Sequence, residues 1–197
     1  MSPLPPRPVV GVLHPGAMGA AVGAALRPGA GSVVWAAAGR STATSKRAEL
    51  ADLVGVPDLE ALARRSDVIV TGDLFTPGRY PSIDVARGGS VQGLVRALTE
   101  ILALAVPEAF AEGGTKMIPG HGRVAEETDV AEFRDMVVIV RDRVQDLLAK
   151  KMTLEQIKAA KPSRDYDAEY NASPADADRF VESIARSLTS VKSGGKS

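Results

Sequence analysis

The sequence predicts an α/β protein built in three layers around a mostly parallel sheet, and three observations predict it. Short apolar runs at 8–13, 32–37, 67–71 and 115–118 each end at glycine, proline or polar residues, the pattern of strands buried on both faces. Helix-compatible or amphipathic segments stand between them. The connections are long enough for right-handed crossovers, so a mostly parallel arrangement is the economical solution, with strand 67–71 contributing to the segments on both sides of it.

Taken in order, PVVGVL (8–13) is the first strand and GAMGAAVGAAL (16–26) the first helix, stopped by Pro28 and Gly29. SVVWAA (32–37) is the second strand. The stretch TATSKRAELADLV (42–54) is expected to be one helix with Leu50, Leu53 and Val54 on one side. Asp58 caps a short helix, DLEALARR, and Asp67–Val70 is a third strand. The order β-α-β-α-α-β in the first 70 residues is a mononucleotide-binding half of a doubly wound sheet.

From Thr71 the pattern changes. TGDLFTPGRYPSIDVARGG is rich in Gly and Pro and reads as a long loop with a short strand at Ile83–Ala86. Ser90 caps a helix carrying Val91, Leu94, Val95, Leu98, Ile101 and Leu102 on one face. TKMIP is a brief strand running into the turn PGHG (119–122). The strongest helix runs from about Thr128 to Lys150, with Val130, Phe133, Met136, Val137, Val140, Val144, Leu147 and Leu148 at helical spacing. Thr153 caps another short helix through Ala160, Asp176–Val191 forms the last one, and SGGKS is a frayed tail.

Composition narrows the functions. Lys plus Arg equals Asp plus Glu at 24 each, so no net field draws the chain onto nucleic acid or an anionic membrane. With no cysteine there is neither a disulfide framework nor a thiolate nucleophile, and a metal site would have to rely on His and carboxylates. The start MSPLPPRP lacks the apolar run of a secretory signal, and no stretch reaches the roughly 18 apolar residues of a membrane span; both point to a cytoplasmic address. A second copy of the chain is left open as a partner, and so is catalysis.

The string GVLHPGAMG (11–19) joins a predicted strand to a predicted helix, the setting that a dinucleotide fingerprint requires. Amides at the start of that helix would face a pyrophosphate, with the helix dipole favouring its charge. The candidate binding residues are Gly11, His14, Pro15, Gly16, Ala17, Met18 and Gly19: Gly16 would let a phosphate approach the chain, and Gly19 would let helix and sheet pack closely. His14 stands where the usual first glycine would be. The alternative is that Gly and Ala crowd this region only to pack a helix on a strand.

GVLHPGAMGAAVGAAL, VVWAAAGRS and LEALARRSDVIV together resemble the amino-terminal half of the 6-phosphogluconate and β-hydroxyacid dehydrogenase family, from about Pro8 to Val70. One branch of that family carries LHPG in the turn. Where an acidic residue would accept hydrogen bonds from an NAD ribose, the chain has Gly39, Arg40 and Ser41. The resemblance therefore implies NADP, with Arg40 and Ser41 among the cofactor-binding residues. Its all-helical second domain has no counterpart after Val70.

TGDLF (71–75), YPSIDVARGGSVQGL (80–94), TKMIPGHG (115–122) and FRDMVVIVRDRV (133–144) instead resemble the carboxy-terminal half of metallo-β-lactamase-fold hydrolases, a likeness covering about Val70 to Leu188. It implies that Asp73 sits where a carboxylate bridges two metal ions and His121 where a histidine closes the second site. The chain has only two histidines, His14 and His121. Two protein ligands fall short of the three that a catalytic zinc site uses. The expected organisation is thus a nucleotide-binding, Rossmann-like half at 1–70 and a metallo-β-lactamase-like half at 71–197, sharing one body. The expected function is NADP(H) binding, a small-molecule nucleotide being the partner, without the full activity of either family. The alternative is a metal-dependent hydrolase with an incomplete site.

Overall fold

The computed structural model describes residues 5–105 and 114–193, the last three by backbone alone. Residues 194–197 of the expected tail lie outside the described residues.

The elements are β1 (Val9–Val12), α1 (Ala17–Leu26), β2 (Ser32–Ala36), α2 (Thr42–Leu50), β3 (Val54–Val56), α3 (Leu59–Arg65), β4 (Val68–Gly72), α4 (Val91–Leu104), β5 (Lys116–Pro119), α5 (Glu127–Ala149), α6 (Leu154–Ala159) and α7 (Pro174–Ser193). The strands form one parallel sheet in the order β3-β2-β1-β4-β5, so the protein is α/β with a Rossmann-like strand order. β4 pairs with β1 on one side and β5 on the other. Segments before and after residue 70 therefore share the same sheet.

The chain resolves into two compact units, one of Met1–Gly72 with Ile101–Asp129, the other of Asp73–Glu100 with Val130–Ser197. The first holds the whole sheet. Val10, Val12, Val33, Trp35 and Val68 lie on one of its faces, in a core with Ala48 and Leu53 and with Leu26 against its margin. The alternate residues Gly11, Val34 and Ile69 belong to the other face, where Leu62 of α3 covers Gly11. Burying each large aliphatic side chain of this kind contributes about 1.5 to 3 kcal/mol, which is why burial on both faces, and not local propensity, holds these short strands. A Cβ at Gly11 would stand 2.5 Å from Ser66 Oγ and 2.7 Å from Leu62 Cδ2. The absence of a side chain there is what lets α3 lie against the sheet.

Two expected elements differ. The helix from Thr42 ends at Leu50, not at Val54: Asp52 takes a left-handed conformation with φ of 54°, which stops the helix without a glycine. Leu53 then drops into the core, Leu50 is 82% exposed, and Val54 opens β3 along the edge of the sheet. At Ile83–Ala86 there is no strand. Asp84 Oδ1 accepts from the Arg87 amide at 3.2 Å, holding a 3-10 turn over Val85–Arg87 that Gly88 ends at φ of 86°.

The second unit is helical around a long loop. Its core includes Phe75, Val91, Leu98, Phe133, Met136, Ile157 and Ile184, with Phe75 edge-on to Phe133 at 5.1 Å. Ser90 Oγ accepts from the Gly93 amide at 3.0 Å, and Thr153 with Gln156 forms a capping box, as the sequence predicts for both. Among the described residues, no helix is long and apolar enough to cross a membrane.

Candidate functional site

Because all five strands are parallel, their carboxyl ends lie along one edge, the edge at which open α/β sheets hold ligands. The turn 13–16 leaves β1 at this edge. Gly16 is the N-cap of α1, in extended backbone with φ of −63° and ψ of −172°, and no side chain caps the helix. The Gly16 amide itself donates to the His14 carbonyl at 2.9 Å, which closes the turn. The amides of Ala17, Met18 and Gly19 thus begin the helix without a side-chain acceptor, and the partial positive charge of the helix dipole lies with them.

Gly19 has a different neighbour from the one the sequence suggests. A Cβ there would stand 2.2 Å from the His14 carbonyl oxygen, so the residue admits the turn's own backbone more than it admits the sheet. The glycine that seats α1 against neighbouring structure is Gly23, where a Cβ would meet Leu53 Cδ2 at 2.9 Å. Pro15 is buried, while His14, Ala17 and Met18 are exposed. Gly11 lies inside β1, under Leu62, apart from the turn.

Arg40 follows β2 and reaches back across the edge. Its Nη2 donates to the Leu13 carbonyl at 2.9 Å and its Nε to the Ala36 carbonyl at 3.4 Å. Ser41 is the N-cap of α2, its Oγ accepting from the Thr44 amide at 3.3 Å. Arg47 is not among the residues that the sequence marks. Its Nη2 donates to Thr44 Oγ1 at 3.2 Å, and its Nε is buried without a hydrogen-bond partner. Partial burial, followed by the Arg40 and Arg47 charges, holds the His14 imidazole below its ordinary pKa, while a contact with its own backbone works the other way. Nothing in local sequence signals Arg47, because its closeness to His14 comes from the packing of α2 and not from spacing along the chain.

Asp73 is the first residue after β4 and belongs to the second unit; His121 is exposed in the turn after β5 and belongs to the first. The His121 turn is fixed by the Gly120 amide on the Gly72 carbonyl at 2.8 Å and by an antiparallel bridge between Met117 and Ala125. Lys116, 3% exposed, also pairs with Glu126 at 2.8 Å. Among the described residues, no group of three or more His, Asp or Glu side chains is arranged to hold a metal ion. The donor set does not fit a zinc centre.

Within the second unit, an open groove of about 1320 Å³ runs between the loop 78–86 and α7. Tyr80 stacks on Phe180 at 4.5 Å and on Tyr170 at 5.3 Å in its wall, and donates its hydroxyl to Asp167 at 2.7 Å. Burial and the bond to Asp167 push the Tyr80 phenol well above its ordinary pKa. None of the predicted site residues lines this groove.

No family model and no curated protein matches the chain. Among solved structures, it is similar to the conserved protein MTH1747, of unknown function, described as similar in structure to 3-hydroxyacid dehydrogenases: identity is 15% over 92% of this chain and 82% of the other, with a TM-score of 0.33. It is also similar to the apo D-mandelate dehydrogenase of Rhodotorula graminis, at 22% identity over 71% of this chain and 48% of that one, with a TM-score of 0.29. At such scores the likeness carries no function, and the α/β assignment rests on the sheet itself. Neither neighbour is described as a metallo-β-lactamase-fold protein, so that resemblance gains no support from them.

Proposed function

We propose that this protein binds a nicotinamide dinucleotide at the β1–α1 turn, with NADP(H) preferred, and that it does so without the full activity of either family its segments resemble. The observation that carries the reading is the α1 N-terminus, which lacks a side-chain cap and lies at the carboxyl edge of a parallel sheet beside two arginines and a histidine. Three first-turn amides and the helix dipole suit a pyrophosphate. Gly16 adds no side chain beside the His14 ring, and Gly19 admits the His14 carbonyl. Arg40 is held at the end of β2, where its remaining donors suit the 2′-phosphate that separates NADP from NAD. The cofactor, when bound, would supply hydride chemistry; the chain's own residues bind and orient its phosphates.

Metal-dependent hydrolysis keeps Asp73 and His121 by resemblance alone, and no third donor joins them among the described residues. Thermal melting with NADPH, NADH and zinc separates the readings. A ligand present at a hundred times its Kd stabilises by about 2.7 kcal/mol, a shift of several degrees. NADPH should raise the midpoint most. A midpoint unmoved by either nucleotide overturns the proposal.

A further inference from the structure

The β1–α1 turn carries more positive charge than a pyrophosphate site built on backbone amides needs. Arg40 reaches it from the loop after β2, donating to the Leu13 carbonyl, and the charges of Arg40 and of Arg47 on α2 both act on the His14 ring. α1 itself, AMGAAVGAAL, has no ionisable side chain, so no carboxylate on that helix offsets them. The imidazole lies over the turn: a Cβ at Gly16 would stand 3.1 Å from His14 Nδ1. His14 is exposed, and Arg47 carries a buried Nε without a partner beside the Thr44 contact of its Nη2. The cluster is thus one imidazole, two guanidinium groups and a run of uncapped amides, with repulsion among its members while no anion is present.

We propose that His14 couples proton uptake to anion binding at this turn: a phosphoryl group held by the α1 amides and the two arginines draws a proton onto the imidazole, so that binding and protonation occur together. The inference rests on the reading of the turn as a nucleotide phosphate site and adds the regulation of that site. Its physical basis is one of sign. Neighbouring cations disfavour the imidazolium, and an incoming anion offsets them and favours it. The proton comes from solvent, no covalent bond forms or breaks, and net charge at the site is partly neutralised. Affinity for the anion must then rise as pH falls through the bound-state pKa, and level off below the free-state one. One linked proton sets the ceiling at about tenfold in affinity per pH unit.

ADP-ribose is the suitable probe, because its pyrophosphate keeps its charge across the histidine range of about pH 5 to 8. With only two histidines in the chain, imidazole NMR resolves both, and a His14→Gln variant assigns them. Calorimetric titration of ADP-ribose across that range should show affinity rising toward low pH, and His14→Gln should flatten the slope. The His14 resonance should titrate at higher pH with ADP-ribose bound than without. Arg47→Gln should raise the free-state His14 pKa, since one of the two charges that depress it is gone. If ADP-ribose binds but His14 titrates at the same pH with and without it, the coupling is wrong while the nucleotide reading stands. If ADP-ribose fails to bind at any pH, both fall.

Discussion

Arg40 Nη2 donates to the Leu13 carbonyl at 2.9 Å, tying the loop after β2 to the turn after β1. The residue that the family resemblance offers as a 2′-phosphate ligand thus clamps the turn after β1. The two roles separate by experiment. Arg40→Ala should remove the preference for NADPH over NADH, a loss of about 1.5 to 3 kcal/mol or roughly ten- to hundredfold, because a charged hydrogen bond to the 2′-phosphate is absent. It should also weaken NADH binding slightly by loosening the turn. Calorimetric titration with both cofactors measures each effect, and equal affinities in the unmodified protein would show that Arg40 contacts no 2′-phosphate.

Gly19 faces the His14 carbonyl so closely that any side chain must move the turn. Gly19→Ala should cost about 1 to 3 kcal/mol of stability through overpacking, and nucleotide affinity with it. Gly29→Ala is the control, since its nearest neighbour, the Leu26 carbonyl oxygen, stands 3.9 Å from the added Cβ. Urea denaturation of the two variants should differ by the cost at Gly19. Identical midpoints would mean that the turn accommodates the methyl.

Burial pushes the Asp129 carboxyl up, but bonds from Arg123 and the Glu126 amide, with the Arg123 charge, bring it below its ordinary pKa. A carboxylate depressed by folding contributes stability that is present above its unfolded pKa. That contribution is lost as pH falls through the lower, folded value. The wild type should therefore lose stability on acidification more steeply than Asp129→Asn, with the two curves converging at the acid end. Parallel curves from neutral to acid pH would show that Asp129 carries no such linkage.

In the second unit, Tyr80 donates to Asp167 and Ser163 Oγ donates to the same carboxylate oxygen at 3.0 Å. Tyr80→Phe removes one donor and keeps the stacked rings. The expected loss is near the low end of the range of about 1.5 to 3 kcal/mol for a bond to a charged group, because the Ser163 bond remains. Chemical denaturation checks it. A variant as stable as the parent would show that Asp167 satisfies itself otherwise.

By itself the sequence determined the elements whose signals are local: β1, β2 and β4 as apolar runs, α5 by its spacing, the caps at Asp58, Ser90 and Thr153, and the glycine turn that opens α1. These follow from side-chain periodicity and from hydrogen bonds three residues apart, which a chain carries wherever it folds. Tertiary structure decided the rest. It placed Leu53 in the core and Val54 on an edge strand once Asp52 turned left-handed, and made a 3-10 turn at Val85–Arg87 where a short strand was expected at Ile83–Ala86. It also set Arg40 against Leu13 across 27 positions and brought the Arg47 charge to His14. Such contacts depend on strand order and on how α2 lies against its neighbours. Long-range packing fixes both, and no short window of sequence records it.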